Sequence, residues 1–355
     1  MPRALPPDLT RLLEQTSRTF YKTLNFLPGS IRYQIGLAYL LARTTDTIAD
    51  TEIVPVEQRL IALEQLRERI QGSSSAPLNA AELARQQGLP AERELLEKIE
   101  DSLAQLNHLF AEDLKLVRQV LDTITSGQEL DLRRFAGASE KNIVALQTDS
   151  ELDDYTYRVA GCVGKFWTEM CLEHEFSSME ILGLSELTAA SFEELGIRFG
   201  KGLQLVNILR DLPVDLRKGR CYLPLEKLAE AALTPNALLE PANETKFRPI
   251  YDRYLDMAQA HLVAGWEYTT NIPWTHVRVR LACAWPILIG IETIARLRKE
   301  NVLDPSRRVK ISRADLKRII VRSVLWYPWQ PGWRRLGPIL VSAGGKAVAP
   351  AKKMA

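Results

Sequence analysis

Two carboxylate pairs carry most of the chemistry legible in this sequence. The first lies in Tyr39-Leu-Leu-Ala-Arg43-Thr-Thr-Asp46-Thr-Ile-Ala-Asp50, the second in Gln204-Leu-Val-Asn207-Ile-Leu-Arg210-Asp211-Leu-Pro213-Val-Asp215. On a helix, Tyr39, Arg43, Asp46 and Asp50 share an arc of about 40–60°, and Gln204, Asn207, Asp211 and Asp215 share one of roughly 80°. The residues between them are mostly apolar or small, so each segment reads as a largely buried helix with one polar stripe. Carboxylates buried without compensation are costly, so a cation is expected at each stripe. Mg²⁺ prefers oxygen ligands and shares them with substrate phosphates. Two such helices facing each other fit a Mg²⁺ site for a diphosphate, where the metal stabilises the leaving group's charge. Arg217, Lys218 and Arg220 follow the second pair and are placed to hold phosphate. Pro213 removes a helical hydrogen bond and predicts a kink between Asp211 and Asp215.

The spacing alone is a weak signal. The chain holds four Asp-x-x-x-Asp pairs, where chance gives about one. Asp149/Asp153 lies in an acidic stretch with Glu151 and Asp154. Asp252/Asp256 lies beside Arg253 and Tyr254. Both read as solvated helix faces.

The elements that must position the stripes are helices. Leu60, Leu63, Leu66 and Ile70 recur at helical spacing, as do Leu95, Leu96, Ile99, Leu103 and Leu106. Long alternating strand-like runs are absent. Breakers such as Pro28-Gly29, Gly72-Ser-Ser-Ser75, Gly88-Leu-Pro90, Pro235, Pro241, Pro273 and Pro305 cut the chain into helix-sized pieces. The stretch from Gly72 to Pro90 reads as a surface loop. The expected architecture is all-α, a single domain over residues 1–325, with a Trp/Pro-rich segment and tail over 326–355.

Composition narrows the classes. Of 355 residues, 46% are hydrophobic and 25% charged, and 46 Lys plus Arg stand against 44 Asp plus Glu. This excludes a disordered or collagen-like chain, and the near-neutral balance gives no nucleic-acid footprint. Cys162, Cys171, Cys221 and Cys283 are scattered and indicate neither a disulfide framework nor a zinc site. No apolar leader is visible at residues 1–7, and no run is long enough to span a membrane. A cytoplasmic setting is the expectation. Near the C-terminus, Trp326, Trp329 and Trp333 are interleaved with prolines and followed by Arg334-Arg335. They read either as packing against the body of the protein or as a peripheral membrane contact at Trp326–Arg335.

With these residues in view, the sequence resembles the squalene/phytoene synthase family over about residues 15–300. The resemblance rests on Ser17-Arg18-Thr19-Phe20, on Arg43-x-x-Asp46-x-x-x-Asp50, on Tyr155-x-Tyr157-x-Val159-Ala160-Gly161-x-Val163-Gly164, and on Gln204-x-x-Asn207-x-x-Arg210-Asp211-x-x-x-Asp215, in that order. It implies an all-α isoprenoid-synthase fold around a central apolar cavity. It also implies Mg²⁺-dependent head-to-head condensation of two prenyl diphosphates through a cyclopropyl diphosphate.

Carried onto this chain, the resemblance makes Asp46, Asp50, Asp211 and Asp215 the Mg²⁺ ligands with Asn207, and Gln204 assists. It makes Arg43, Arg210 and Arg220 diphosphate holders, with Ser17 and Arg18 helping. Phe20, Tyr39 and Tyr157 would line the carbocation's path, where ring faces stabilise positive charge, and the Tyr157 hydroxyl could shuttle a proton. Val309-Lys310-Ile311, followed by a basic helix, resembles the C-terminal part of squalene synthases. That favours squalene from two farnesyl diphosphates with NADPH or NADH, and Lys310 as a cofactor contact. No dinucleotide fingerprint follows a strand, so the cofactor would bind without a Rossmann unit. Arg158, directly before Val-Ala-Gly, and Pro213 depart from the family pattern. Alternatives are a phytoene or dehydrosqualene synthase, an enzyme forming hydroxysqualene or presqualene diphosphate without hydride, and a non-catalytic helical scaffold. A head-to-tail elongating synthase is disfavoured, because Asp-Asp-x-x-Asp is missing.

Overall fold

The computed structural model describes residues 4–17, 19–78, 80–177 and 188–337. Among them the helices are α1 (Pro7–Ser17), α2 (Thr19–Phe26), α3 (Gly29–Ala49), α4 (Val56–Gln71), α5 (Ala81–Gln86), α6 (Pro90–Glu97), α7 (Ile99–Ala104), α8 (Ala111–Arg134), α9 (Asp149–Thr156), α10 (Cys162–His174), α11 (Ala189–Arg217), α12 (Leu225–Glu230), α13 (Glu244–Asn271), α14 (Val277–Leu297), α15 (Arg313–Trp326) and α16 (Gln330–Arg334). One π-helical turn spans Tyr157–Gly161. The only named strands among the described residues are two-residue pieces, β1 (Val144–Ala145) and β2 (Arg220–Cys221), paired in parallel. The all-α expectation holds. The Gly72–Pro90 loop is corrected: it contains α5, a six-residue helix too short to show a period in the sequence.

The described residues form two compact units. The first comprises the described part of Met1–Ala136 with Lys165–Glu180, the second that of Gly137–Gly164 with Ile181–Ala355.

In the first unit α3 is central. Ile31, Ile35, Leu37, Leu40, Leu41 and Ile48 are buried with Leu63, Leu66 and Ile70 of α4 and Val117, Val120 and Leu121 of α8. A buried polar trio ties three helices together. The Asp113 carboxylate accepts from Gln34 Nε2 at 3.1 Å and lies 2.6 Å from His174 Nε2. A buried carboxylate without such partners would be strongly destabilising.

In the second unit α11 is central and packs along α13. Its start is fixed by a capping box: the Thr188 hydroxyl accepts from the Ser191 amide, and the Ser191 hydroxyl caps Thr188 in return. Its end is fixed by Gly219 at φ +81°, where a Cβ would meet the Ser139 nitrogen at 2.2 Å. That left-handed turn feeds the chain directly into β2 and sets Arg220 at its first position. The C-terminal segment belongs to this unit. Trp333 is fully buried and stacks on Trp266 at 4.9 Å, with the Arg280 guanidinium 4.6 Å from its ring.

Candidate active site

The first stripe stands on the last turns of α3. Arg43 bridges two carboxylates, donating to Asp46 and, at 2.6 Å, to Glu92 on α6. Asp50 caps the helix, and its backbone amide donates to the Asp46 carbonyl at 2.9 Å. Tyr39 sits half-buried two turns upstream of Asp46, on the same face. Desolvation and the Asp50 charge push the Asp46 carboxyl up to about 6, against the pull of Arg43. Desolvation and the Asp50 charge thus leave Asp46 incompletely compensated by Arg43, an imbalance that a further cation would relieve. Ser17, at the end of α1, is buried and donates its hydroxyl to the Leu13 carbonyl at 2.5 Å. Phe20 lies in α2. Arg18 lies outside the described residues, as does the side chain of Phe20.

The second stripe runs along α11. Arg210 clasps Asp211 with two hydrogen bonds, 3.1 Å from Nε and 2.5 Å from Nη2. Asn207 is exposed; Gln204, Asp211 and Asp215 are partly so. Pro213 does not end the helix, which continues to Arg217. Proline leaves the carbonyl four residues earlier without its amide partner. That carbonyl is Leu209, and it accepts from the hydroxyl of Tyr251 on α13 at 3.0 Å. Tyr251 is fully buried. The neighbouring helix therefore replaces the lost bond, and the two Asp stay on one continuous helix. No sequence pattern pointed to Tyr251, because the contact joins segments far apart in the chain.

The Tyr157 motif is set by an irregularity. Tyr157–Gly161 forms a π-helical turn, a feature frequent at functional sites. It lies hard against α11. A Cβ on Gly200 would fall 2.0 Å from the Ala160 oxygen, and one on Gly164 would fall 1.9 Å from the Gly196 oxygen. Tyr157 is partly buried, with Lys201 Nζ 5.8 Å from its ring centre. Lys201 is in turn held by Asp153 at 2.7 Å. Arg158 pairs with Asp154 at 2.8 Å on its own helix turn.

The two remaining Asp pairs, read from sequence as solvated surface carboxylates, are engaged by hydrogen bonds and ion pairs. Asp149 accepts from Tyr254 at 2.6 Å, Asp153 from Lys201, and Asp256 from Arg298 at 2.5 Å; Asp252 lies 3.6 Å from Arg248.

A cavity of about 370 Å³ opens beside the second stripe, lined by Arg210, Arg217, Lys218, Arg307 and Arg308 over a floor that includes Val302 and Val309. The only carboxylate among its lining residues, Asp304, is paired with Arg307 at 3.4 Å. Arg307 and Arg308 carry no regular spacing, and sequence reasoning passed over them. Lys310 is exposed just beyond, its carbonyl accepting from Arg296 at 2.7 Å. Among the described residues no group of three or more His, Cys, Asp or Glu stands ready to hold a metal by itself. Paired carboxylates without a full cage fit Mg²⁺, which keeps waters and takes its remaining ligands from phosphates. The four cysteines are buried thiols outside any disulfide, and burial pushes those of Cys162 and Cys221 up to about 12.

The two carboxylate stripes stand on an all-α fold, and sequence comparison gives the family to which that fold belongs. A sequence model of the squalene/phytoene synthase family matches residues 13–315, and the chain belongs to that family. It is 29% identical over 254 residues to a bifunctional lycopene cyclase/phytoene synthase of Gibberella fujikuroi, covering 70% of this chain and 40% of that protein. It is 25% identical over 286 residues to the squalene synthase of Saccharomyces cerevisiae, covering 80% of this chain and 60% of that protein. It is 29% identical over 247 residues to a presqualene diphosphate synthase of Rhodopseudomonas palustris, covering 70% and 72%. The chain thus spans only about two fifths of the length of the bifunctional relatives it matches. Among solved structures, a ligand complex of TcSQS superposes with a TM-score of 0.70 at 21% identity, covering 88% of this chain and 84% of that one. The fold is the all-α isoprenoid-synthase type.

Proposed function

We propose that the chain is a squalene synthase. It would condense two farnesyl diphosphates head to head through presqualene diphosphate, then rearrange that intermediate reductively to squalene. The observation that carries the reading is the pair of intact stripes: Arg43 with Asp46 and Asp50 on α3, and Arg210 with Asp211 and Asp215 on α11. Mg²⁺, when bound, stabilises the charge that develops on a departing diphosphate. Asp46, Asp50, Asn207, Asp211 and Asp215 are the residues that would hold it. Arg43, Arg210 and Arg220, with Gln204, Ser17 and Arg18, would hold the diphosphate. The half-buried rings of Tyr39 and Tyr157, with Phe20, would present their faces to the carbocation.

The choice of squalene over its sister products rests on the basic cavity. A synthase that loses a proton needs no polyanion site beyond those that hold its two diphosphates. A cavity with five cationic side chains and an apolar floor suits the phosphates of a reduced nicotinamide cofactor, which supplies hydride when bound. Lys310 stands next to that cavity in sequence. A second reading, release of presqualene diphosphate, is favoured by the Rhodopseudomonas relative, whose length the chain matches over 72%. Squalene is insoluble in water, so delivery into a bilayer is part of the main reading.

The test is to incubate the protein with farnesyl diphosphate and Mg²⁺, with NADPH, with NADH and with neither. Gas chromatography–mass spectrometry then reads the extract. Squalene appearing only with reductant is the expected result. A conjugated hydrocarbon, an alcohol or a cyclopropyl diphosphate, whatever the reductant, overturns the squalene assignment.

A further inference from the structure

The first stripe occupies the least favourable place a helix offers to carboxylates. At a helix C-terminus the aligned peptide dipoles leave about half a negative charge, and the last carbonyls lack amide partners. Asp46 lies in the last turn of α3, and Asp50 is the residue that caps it. Such a turn frays unless something outside the helix holds it.

Two neighbours hold it. The first is Arg59, one turn into α4. It is only 6% exposed, which is uncommon for arginine. It shares the buried face of α4 with Leu63, Leu66 and Ile70. In the sequence Leu60 opens that apolar stripe; in the structure Leu60 is half-buried and a guanidinium heads the buried face. Arg59 Nη1 donates to the Ala49 carbonyl at 2.6 Å. That carbonyl and the Asp50 amide belong to one rigid peptide plane. The Asp50 amide donates in turn to the Asp46 carbonyl at 2.9 Å. The peptide that leads into Asp50 is therefore fastened on both sides, by Arg59 and by the backbone of Asp46.

The second neighbour is Gln87, in the connection between α5 and α6. Its Nε2 donates to the Thr51 hydroxyl, which itself donates to the Thr47 carbonyl at 2.7 Å. Thr51 and Gln87 are both buried. Gln87 is fixed as well, because its carbonyl accepts from Arg93 of α6 at 3.0 Å. Asp50 thus stands between two anchored residues, Ala49 and Thr51, while it is itself exposed. Packing gives no reason to pin the backbone of an exposed carboxylate from both sides; a ligand that must be preorganised does.

From this geometry we propose that Arg59, with Gln87 acting through Thr51, forms a clamp of positioning residues that keeps Asp50 in register with Asp46 for Mg²⁺ and diphosphate. The clamp touches neither ion. A guanidinium keeps its charge at any working pH, so the clamp also holds in the metal-free protein, where the two carboxylates and the helix end repel one another. The inference rests on the metal role proposed for the first stripe.

The experiment has two readouts on the full chain, both without turnover. Calorimetry follows the binding of Mg²⁺ with inorganic diphosphate, and hydrogen exchange by mass spectrometry follows residues 46–54 without metal. Arg59→Met keeps the volume of the stem and removes the guanidinium. It should weaken binding by about tenfold or more and speed exchange over 46–54 while the rest of α3 keeps its protection. Arg59→Lys should regain part of the affinity, and Gln87→Leu should show a smaller loss in the same direction. In an Asp50→Asn background Arg59→Met should cost no further affinity, whereas a merely structural role predicts an additive loss. If Arg59→Met fails to fold, Gln87→Leu decides for the clamp. Folded variants that bind as wild type does, or additive losses, overturn the clamp alone. A wild type that binds no Mg²⁺ with diphosphate overturns the metal reading of the stripe, and the clamp's purpose with it.

Discussion

Asp46 carries the clearest electrostatic mark of the first stripe. Its carboxyl is pushed up to about 6 by desolvation first and by the Asp50 charge second. An unfolded aspartate titrates near 4. Between those values the folded state binds the extra proton, so stability falls as pH rises from about 4 to 6 and stays lower above that. Replacing Asp46 with Asn removes the penalty. With 43% of the side chain exposed, solvent screening cuts the full shift to about 1 kcal/mol. Asp46→Asn is therefore expected to raise metal-free stability at neutral pH by about that amount, and to lose any stabilisation by Mg²⁺ with inorganic diphosphate. Chemical denaturation with and without those ions reads both; a destabilised metal-free variant would contradict the account. The stripes themselves were legible because residues four apart on a helix share a face. The clasp of Arg43 on Glu92 and the placing of Lys201 over Tyr157 were not, because each joins segments that only tertiary packing brings together.

At the scale of elements, the proline in α11 is the instructive case. From sequence it predicts a kink between Asp211 and Asp215. In the structure α11 runs on through Pro213, because the Tyr251 hydroxyl supplies the bond to Leu209 that a residue-213 amide would have made. Burial leaves no water to do so. Tyr251→Phe should cost about 1–3 kcal/mol by orphaning that carbonyl. In a Pro213→Ala background the cost should shrink, since alanine restores the amide. A double-mutant cycle by urea unfolding measures the coupling; strict additivity would refute this role for Tyr251. Helix periods were readable where an apolar stripe ran for several turns, as in α4 and along Leu95–Leu106, which α6 and α7 share. They failed at α5, which is a turn and a half long, and at the π-helical turn. A sequence motif marks Gly161 at the end of that turn but not its hydrogen-bond register.

At the scale of the molecule, composition and breaker spacing were enough to give an all-α chain, since nothing in it alternates like a strand. The C-terminal segment was the least readable part. Trp333 and Trp329 look alike in sequence; one ends 0% exposed against Trp266 and the other 55% exposed. Which indole turns inward is decided by α13 and α14, far upstream. Among the described residues no helix is long and apolar enough to cross a membrane, so contact with lipid depends on a surface, not a span. The family sets the fold. The particular reaction depends on whether both stripes work.

That dependence is the account's central claim, and diphosphate release tests it most directly. Wild type, Asp46→Ala and Asp211→Ala would each be given farnesyl diphosphate over a Mg²⁺ titration, with helicity checked by circular dichroism. Each variant should fold as wild type does and release diphosphate at least about a hundredfold more slowly, since each removes a proposed Mg²⁺ ligand that would stabilise leaving-group charge. Release at the wild-type rate by either folded variant would contradict the assignment of its stripe to Mg²⁺ and diphosphate.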